Sequence, residues 1–301
     1  MENKHRHGLI TLSIHRKKKV IKYFKKVLNC IAQFPKKLIK FFPIFKDHRS
    51  TEFVVNDTKA LSFKTLFYQH KENVSDKWVN YFDIYDECFS CHIDNKPHVL
   101  EIGVQNAGSL QILNKYLKNA TLYGVDIDPK VLNLNLESNI HIYNFDITDE
   151  HAIKQHFKNI EFNIIIDDGS HICSDIIQTF KLFFSKLKPG GVFLIEDLHT
   201  SYWQSHGGSY LGAESAIEFF KKFADLLNFY HIKEQHFEKN LSSDDRYIFQ
   251  WLRSIYFYDS VVVIHKLQKP RKTPYARIMV GKMDPVVPVI NLAKQEGWYQ
   301  Y

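Results

Sequence analysis

Two apolar stretches that end in acids and a histidine decide the fold: IIIDDGSH at Ile164–His171 and FLIEDLH at Phe193–His199. Each apolar run has the length of a buried strand, and the interval between the two runs is long enough for one helix. Because the carboxyl ends of parallel strands meet at one edge of a sheet, we expect the acids and His171 to gather there. Carboxylate oxygens with an imidazole beside them indicate a divalent-cation site with a base next to it.

The upstream segment VLEIGVQNAGS at Val99–Ser109 predicts a buried strand, a glycine-bearing turn and the start of a helix. After Gly103 the next glycine is Gly108, so the spacing differs from the dinucleotide fingerprint G-x-G-x-x-G. Glu101 at the strand end would repel a phosphate but suits a cation. S-adenosylmethionine carries a sulfonium and an amino group and has no phosphate, so it fits this acidic loop better than NAD does.

Two further predicted strands also end in acids. Thr121–Asp128 places Asp126 about twenty residues beyond the glycine turn, the usual position of a carboxylate that accepts ribose hydroxyls. The next run ends in Asp146, which we expect to flank the adenine. An acid after a strand is often only a helix N-cap, but three at successive strand ends favour a ligand site.

Five motifs together resemble one family: E-I-G-V-Q-N at 101–106 with the following G-S, G-V-D-I-D-P at 124–129, I-D-D-G-S-H at 166–171, K-P-G-G at 188–191 and I-E-D-L-H-T-S-Y-W at 195–203. They are similar to the metal-dependent sugar O-methyltransferases of macrolide biosynthesis, the macrocin and mycinamicin type, whose relatives include proteins labelled cephalosporin hydroxylase. The resemblance covers roughly residues 65–285. It implies an α/β class I methyltransferase fold, a doubly wound Rossmann-like sheet of about seven strands.

The resemblance also implies the chemistry and its residues. S-adenosylmethionine would be the methyl donor, Mg²⁺ the ion and a sugar hydroxyl the acceptor. Asp168, Glu196 and Asp197 match the family's metal ligands, and His171 matches its general base. With the strand-end reasoning above, the predicted cofactor-binding residues are Glu101, Gly103, Gly108, Ser109, Asp126, Asp146 and Asp167. Ala107 departs from the pattern, because the family often has a glycine there.

The proposed chemistry also follows from general principles. Methyl transfer is an in-line displacement at a carbon that the sulfonium activates, so the protein must align the acceptor oxygen and remove its proton. A divalent cation raises the acidity of a bound hydroxyl, and an imidazole can accept a proton near neutrality. Carboxylate ligands favour Mg²⁺, or Mn²⁺, over zinc and copper.

Several of these residues also have simpler interpretations. Asp167 and Asp168 are suited to capping the following helix, and His171 taken alone is typical of a polar residue in a first helical turn. The loop residues His199, Tyr202 and Trp203 either form a wall for the acceptor or anchor a mobile lid, and the glycine pair at 207–208 favours the lid. Cys88-x-x-Cys91 has no second pair, so it is a weak indication of a metal or redox site.

Composition limits the class of protein. At 301 residues and 45% hydrophobic content, the chain can bury one large α/β core with additions. Its four cysteines do not make a disulfide framework in a chain of this size, so we expect a reducing, cytoplasmic location. The sequence contains no run of eighteen apolar residues and no secretory signal pattern.

Charge is concentrated near the start of the chain. Residues 1–50 hold fourteen Lys and Arg against Glu2 and Asp47, a balance of +12, and the remaining residues have a balance of −5. Lysines and apolar residues alternate over 16–42 at spacings that predict an amphipathic helix on anionic lipid. Packing on the domain or on a second subunit remains the alternative, and we do not expect nucleic-acid binding from a small-molecule enzyme.

The predicted organisation has four parts. Residues 1–50 form the basic arm, 51–95 a mostly helical cap over the cofactor cleft, 96–285 the methyltransferase domain, and 286–301 a tail. Within the domain, 231–255 is predicted to be an insertion or a cap on the acceptor side. The K-P-G-G motif is predicted to end a helix and lead into the fifth strand, with later strands at 260–265 and 276–280.

The sequence therefore predicts a Mg²⁺-dependent O-methyltransferase that acts on a sugar hydroxyl of a glycan, nucleotide sugar or glycosylated natural product. An NAD-dependent Rossmann oxidoreductase is the alternative from another enzyme class, but it needs a glycine pattern that is absent here. A non-catalytic adaptor that keeps the fold and holds partners at a membrane is the third hypothesis. Self-association into a homo-oligomer stays open.

Overall fold

The computed structural model describes residues 61–232 and 241–276. The predictions for the basic arm, for membrane contact by 16–42, for the tail and for nearly all of the strand at 276–280 lie outside these residues. Within them, every helix is too short or too polar to cross a lipid bilayer.

Seven strands form one mixed sheet. They are β1 (His98–Ile102), β2 (Thr121–Asp126), β3 (Ile140–Asn144), β4 (Phe162–Asp167), β5 (Leu187–Ile195), β6 (Leu252–Tyr258) and β7 (Val261–Lys266), in the order β3-β2-β1-β4-β5-β7-β6. The first five strands are parallel, and β7 runs antiparallel to both β5 and β6. The predicted doubly wound α/β sheet is confirmed.

The helices of the described chain connect and cover the strands. They are α1 (Phe63–Gln69), α2 (Tyr81–Phe89), α3 (Gly108–Tyr116), α4 (Glu150–Phe157), α5 (Cys173–Phe183), α6 (Ala216–Lys221), α7 (Phe223–Leu227) and α8 (Ser243–Trp251). Side-chain caps set several of the starts. Asp149 accepts the backbone N–H groups of His151 and Ala152, which fixes the start of α4.

The sheet is buried on both faces, which explains why its central strands read as unbroken apolar runs. In β4, Ile165 packs into one core with Phe157 and Phe180, whereas its neighbours Ile164 and Ile166 pack into a second core on the other face. Helices α4 and α5 contribute to the first core, and α1, α2 and α3 contribute to the second. The sheet therefore forms a rigid layer whose carboxyl edge is free to carry a site.

Two sequence predictions about the second half of the sheet are wrong. The K-P-G-G motif at 188–191 lies inside β5, because Leu187 already pairs with Phe162 of β4. Gly190 adopts a positive φ of 78° there, and its N–H donates to the carbonyl oxygen of Leu267. The motif is thus an irregularity within a strand, and α5 ends earlier, at Phe183.

Residues 252–255, predicted as part of an insertion or cap, instead belong to strand β6. They pair with β7 in a hairpin at the edge of the sheet. Leu252 is 1% exposed and completes the core, whereas Arg253 is exposed and Ser254 is partly buried, so the alternation of this edge strand is weak in the sequence. Of the predicted insertion, the described part before β6 is mainly α8.

The predicted helical cap is helical only in part. Within its described residues 61–95, helices α1 and α2 are separated by residues 70–80, which contain no helix. This connecting segment carries Lys77 and Trp78, which fall within the predicted helical cap. It is anchored on α3, because the N–H of Asn73 donates to Gln111 at 3.0 Å.

Phe180 should be a major contributor to stability. Its side chain is fully buried and lies within 5.4 Å, between ring centroids, of Phe184, Phe193, Phe220 and Phe223. We expect Phe180→Ala to lower the free energy of unfolding by about 3–5 kcal/mol, measured by urea denaturation. Leu132→Ala, at a residue that is 58% exposed, is the control and should cost less than about 0.5 kcal/mol. Equal effects of the two changes would contradict this packing.

Candidate active site

A cleft opens at the carboxyl ends of the parallel strands, where the sequence placed the acids. Its volume is about 370 Å³, within the range typical of small-molecule sites. The predicted residues that line it are Glu101, Gly103, Ser109, Asp126, Asp146, Asp167, Asp168, His171 and Asp197. Gly108, Glu196, His199, Tyr202 and Trp203 are not among its lining residues.

The glycine-bearing loop after β1 is fitted closely to the loop after β4. Gly103 has a φ of 83°, and a Cβ there would overlap the backbone carbonyl of Asp168. The N–H of Asp168 in turn donates to the carbonyl of Ile102 at 2.9 Å. Only glycine fits this position, both for its backbone conformation and for the space.

The predicted ribose-binding acid also organises this loop. One carboxylate oxygen of Asp126, Oδ2, accepts the N–H groups of Val104 and Gln105, each at 2.9 Å. Ala107, which stands where the resembled family often has glycine, has a left-handed φ of 61°. Gly108 supports the loop from behind, because a Cβ there would overlap the carbonyl oxygens of Asn73 and Val74. Gly108, predicted to bind the cofactor, is therefore a site of close packing between two backbone segments.

Two buried acids leave an oxygen without a partner in this cleft. Oε2 of Glu101 and Oδ2 of Asp167 accept no hydrogen bond, although the residues are only 1% and 5% exposed. Burial raises the pKa of each carboxyl to about 7. A ligand that carries a positive charge would satisfy both atoms, so the site fits S-adenosylmethionine with its sulfonium and amino groups.

Asp168, His171 and Asp197 form a candidate metal centre. One ligand atom from each lies within 4.8 Å of the others. The imidazole Nε2 of His171 is 3.8 Å from Oδ1 of Asp168 and 3.7 Å from Oδ2 of Asp197. The carboxylate oxygens of Asp168 and Asp197 suit Mg²⁺ or Mn²⁺, and the imidazole lies beside them. The residues present therefore fit a hard divalent cation.

The backbone at this centre is held in an uncommon conformation. His171 and Asp197 have φ angles of 57° and 51°, in the left-handed region that non-glycine residues rarely adopt. Such a conformation costs on the order of 1–2 kcal/mol per residue. Strain of this kind concentrates at functional sites, where the surrounding structure holds it in place.

Glu196, the third predicted ligand, is separated from that trio by a lysine. Its Oε2 accepts from Nζ of Lys77 at 2.8 Å, its Oε1 accepts from the hydroxyl of Tyr85, and it is 1% exposed. Lys77 also donates to Oδ2 of Asp168 at 2.6 Å and lies 4.0 Å from Glu101. Burial alone would lower the pKa of Lys77, but the surrounding acids, Glu196 foremost, raise it well above its usual value. Lys77 is therefore a buried, charged ammonium at the centre of the acids.

Sequence reasoning missed the role of Lys77. The residue is 91 positions from Asp168 and 119 from Glu196, and it lies in a segment without periodic structure. The only signal was the count of acids. Five carboxylates meet at the ends of three strands, and buried charges require partners.

An aromatic row lies beside Asp197. It consists of Trp78, His199, Trp203 and His206, whose successive ring centroids are 6.0, 4.8 and 5.5 Å apart. Trp78 and Trp203 are 58% and 49% exposed. His199 is fixed by a hydrogen bond of 2.5 Å between its Nδ1 and the hydroxyl of Ser260. Tyr202, also predicted as a substrate residue, is 48% exposed on the same loop.

Comparisons with known proteins give a consistent result. A model of the FtsJ-like methyltransferase family matches residues 85–206. The 8-demethyl-8-alpha-L-rhamnosyl tetracenomycin-C 2'-O-methyltransferase of Streptomyces olivaceus is 33% identical over 165 residues, which are 51% of this chain and 43% of that protein. The demethylmacrocin O-methyltransferase of Streptomyces fradiae is 33% identical over 132 residues, 41% of this chain and 33% of that protein. The matches thus cover less than half the length of these relatives.

A solved structure shares the fold. The MycE methyltransferase from the mycinamycin biosynthetic pathway, in complex with Mg and SAH, superposes with a TM-score of 0.63 at 21% sequence identity. The superposition covers 80% of this chain and 60% of that chain. The comparisons confirm the resemblance to sugar O-methyltransferases of macrolide pathways and the class I methyltransferase fold.

The buried carboxyl of Asp167, one oxygen of which has no partner, leads to a prediction about pH. A buried carboxyl whose pKa is raised to about 7 stabilises the folded chain at low pH and loses that contribution as pH rises through about 7. At about 1.4 kcal/mol per pKa unit, we expect Asp167→Asn to stabilise the ligand-free protein at pH 8 by up to about 4 kcal/mol. The gain should shrink as pH falls toward 5, measured by urea denaturation.

Asp94→Asn makes the same change of charge at an exposed acid and serves as the control. It should alter stability little at either pH. A gain from Asp167→Asn that does not depend on pH, or a loss at pH 8, would contradict the account of this residue.

Proposed function

We propose that this protein transfers a methyl group from S-adenosylmethionine to a hydroxyl group of a sugar, with a divalent cation, Mg²⁺ or Mn²⁺, at Asp168, Glu196 and Asp197 and with His171 as general base. One observation carries the proposal: Glu101 and Asp167, each with one unpartnered buried oxygen, line the same cleft as the Asp168–His171–Asp197 centre. A pocket suited to a cationic donor therefore adjoins a site suited to activating an alcohol.

The donor would lie along the strand ends. Asp126 keeps lone pairs for ribose hydroxyls beyond the bonds it accepts from the loop, and Asp146 lines the cleft further along the same edge. Asp167 and Glu101 offer their unpartnered oxygens to the positive groups of the methionine part. The carboxylates at this end also disfavour a pyrophosphate, which argues against the NAD-dependent alternative.

The hydroxyl group of the acceptor would be activated at Asp168, Asp197 and His171. Bound at Asp168 and Asp197, a divalent cation would increase the acidity of an alcohol. Glu196 remains the third proposed ligand, since a carboxylate oxygen that accepts one hydrogen bond from Lys77 retains a further lone pair. Nε2 of His171, within 4 Å of both aspartates, is placed to accept the proton.

We propose a sugar as the acceptor for two reasons. The names of the related proteins from Streptomyces describe a rhamnosyl substrate in one case and demethylmacrocin in another. In this chain, the aromatic row beside Asp197 presents exposed rings against which the C–H face of a sugar can pack. His199 and Trp203 would thus form the acceptor wall, with Tyr202 next to them. The lid interpretation remains the alternative.

Three further expectations concern the protein's surroundings. Its cytoplasmic location, a peripheral membrane contact through residues 16–42 and a homo-oligomer remain predictions from the sequence. An adaptor without catalysis is disfavoured because a scaffold does not require buried acids with unpartnered oxygens around a cleft.

Loss of His171 should separate catalysis from binding. We expect His171→Ala to reduce methyl transfer to rhamnose-bearing acceptors by about 10²- to 10⁴-fold, because a general base contributes a factor of that size. Binding of S-adenosylhomocysteine by calorimetry, and of Mn²⁺ by electron paramagnetic resonance, should change little. His151→Ala, at an exposed histidine of α4, is the matched control.

Three results would count against these assignments. Full activity of His171→Ala would exclude it as the base, and a large loss of Mn²⁺ affinity would make it a ligand instead. Methyl transfer that persists after exhaustive chelation would remove the metal from the proposal.

The acceptor wall can be tested at Trp203. We expect Trp203→Ala to raise KM for the sugar acceptor about tenfold or more, with KM for S-adenosylmethionine nearly constant, because only acceptor packing is removed. Tyr256→Ala on β6, where Tyr256 is 48% exposed, is the control. A matched rise in both KM values together with a fall in kcat would favour the lid interpretation.

A further inference from the structure

The acids of the candidate metal centre are held from one side by residues of a separate segment. Lys77 contacts Asp168 and Glu196, Trp78 donates its indole N–H to Oδ1 of Asp197 at 3.0 Å, and Tyr81 donates its hydroxyl to the same oxygen at 2.7 Å. Tyr85 donates to Glu196. These four residues, Lys77, Trp78, Tyr81 and Tyr85, are called the donor clamp below.

The donor clamp divides the two oxygens of each aspartate between two tasks. In Asp168, Oδ2 is bonded to Lys77, whereas Oδ1 faces His171. In Asp197, Oδ1 is bonded to Trp78 and Tyr81, whereas Oδ2 faces His171. The two aspartate side chains are thereby fixed in rotation. The second oxygen of each, Oδ1 of Asp168 and Oδ2 of Asp197, lies within 4 Å of Nε2 of His171. This arrangement is how outer residues commonly orient metal ligands.

Three of the four clamp residues are buried, and the fourth, Trp78, is 58% exposed. Tyr81 and Tyr85 are 1% and 0% exposed, and the Lys77 side chain is 2% exposed. The segment before them is anchored to α3, where Gly108 allows the backbone of residues 73–74 to approach and Gln111 accepts the N–H of Asn73. Donors on such a fixed segment can determine where the acids point.

The clamp also supplies the charge that the acids need. Lys77 is the one lysine or arginine among the described residues that line the cleft. Its ammonium lies within 4.0 Å of three carboxylates, those of Asp168, Glu196 and Glu101. Without a nearby cation, carboxylates this close would repel one another and separate. The ammonium therefore permits them to converge before any ion arrives.

We propose that the donor clamp is a set of positioning residues that pre-forms the divalent-cation site of this protein. This inference rests on the proposed function, because it assumes that Asp168 and Asp197 bind an ion. It adds that the 77–85 segment, rather than the strand ends alone, determines the affinity for that ion. None of the four side chains needs to contact the ion or S-adenosylmethionine.

The test uses variants that keep the net charge. Mn²⁺ binding to the full chain is measured by electron paramagnetic resonance, and S-adenosylhomocysteine binding by calorimetry, for the wild type, Tyr81→Phe, Trp78→Phe and the double variant. We expect the double variant to bind Mn²⁺ about 10- to 100-fold more weakly, with binding of S-adenosylhomocysteine within about twofold of wild type. Tyr116→Phe removes the hydroxyl of another buried tyrosine, one bonded to Asp86 on α2, and should leave Mn²⁺ binding unchanged.

Lys77 is left unchanged in this test, because loss of its positive charge would by itself increase the attraction of the nearby acids for a cation. Wild-type affinity for Mn²⁺ in the double variant would overturn the clamp and leave the proposed function intact. A wild-type protein that binds no Mn²⁺ at all would overturn the metal part of the proposed function and the clamp with it.

Discussion

The attraction between one buried ammonium and the carboxylates around it is the interaction on which this site depends. The fold brings the carboxyl ends of β1, β4 and β5 side by side, and each of them carries acidic residues at or next to its end. Burying several negative charges together costs far more free energy than a domain has to spare, unless cations compensate for it. Lys77 provides the permanent part of that compensation, and a cationic donor and a divalent ion would provide the rest. The negative charge of the carboxylates would thus be compensated jointly by Lys77 and the bound ligands.

Much of the fold followed from local patterns. Strands β1, β2 and β4 were predictable because full burial on both faces requires continuous apolar residues, and the acids at their ends follow from the geometry of parallel strands. Strand β6 was not predicted because an edge strand packs on one face only. Its exposed Arg253 and partly buried Ser254 weaken the alternation of apolar and polar residues. The prediction of a turn at the K-P-G-G motif was wrong because proline and glycine usually mark turns, whereas here they form an irregularity within β5.

The residues of the candidate site also differ in whether local patterns could predict them. The trio of Asp168, His171 and Asp197 came from two short motifs, because each motif sits at a strand end whose position the sheet dictates. Lys77, Trp78 and Tyr81 could not be placed this way. Their contacts span 91 to 179 residues of sequence, and no periodicity links the connecting segment, or the start of α2 at Tyr81, to strand ends so far away. Only tertiary packing on α3 determines where that segment runs.

The hairpin turn between β6 and β7 has a consequence for synthesis of the chain. Ser260, with a φ of 66°, accepts the N–H of Leu198 at its carbonyl, and its hydroxyl contacts Tyr81 and His199. A nascent polypeptide that has emerged only as far as Trp203 would already contain every predicted site residue, yet would lack this support. Contacts of such high sequence separation form late, since the intervening loop must first be closed. Competence to bind ligands should therefore appear only after β6 and β7 have left the ribosome.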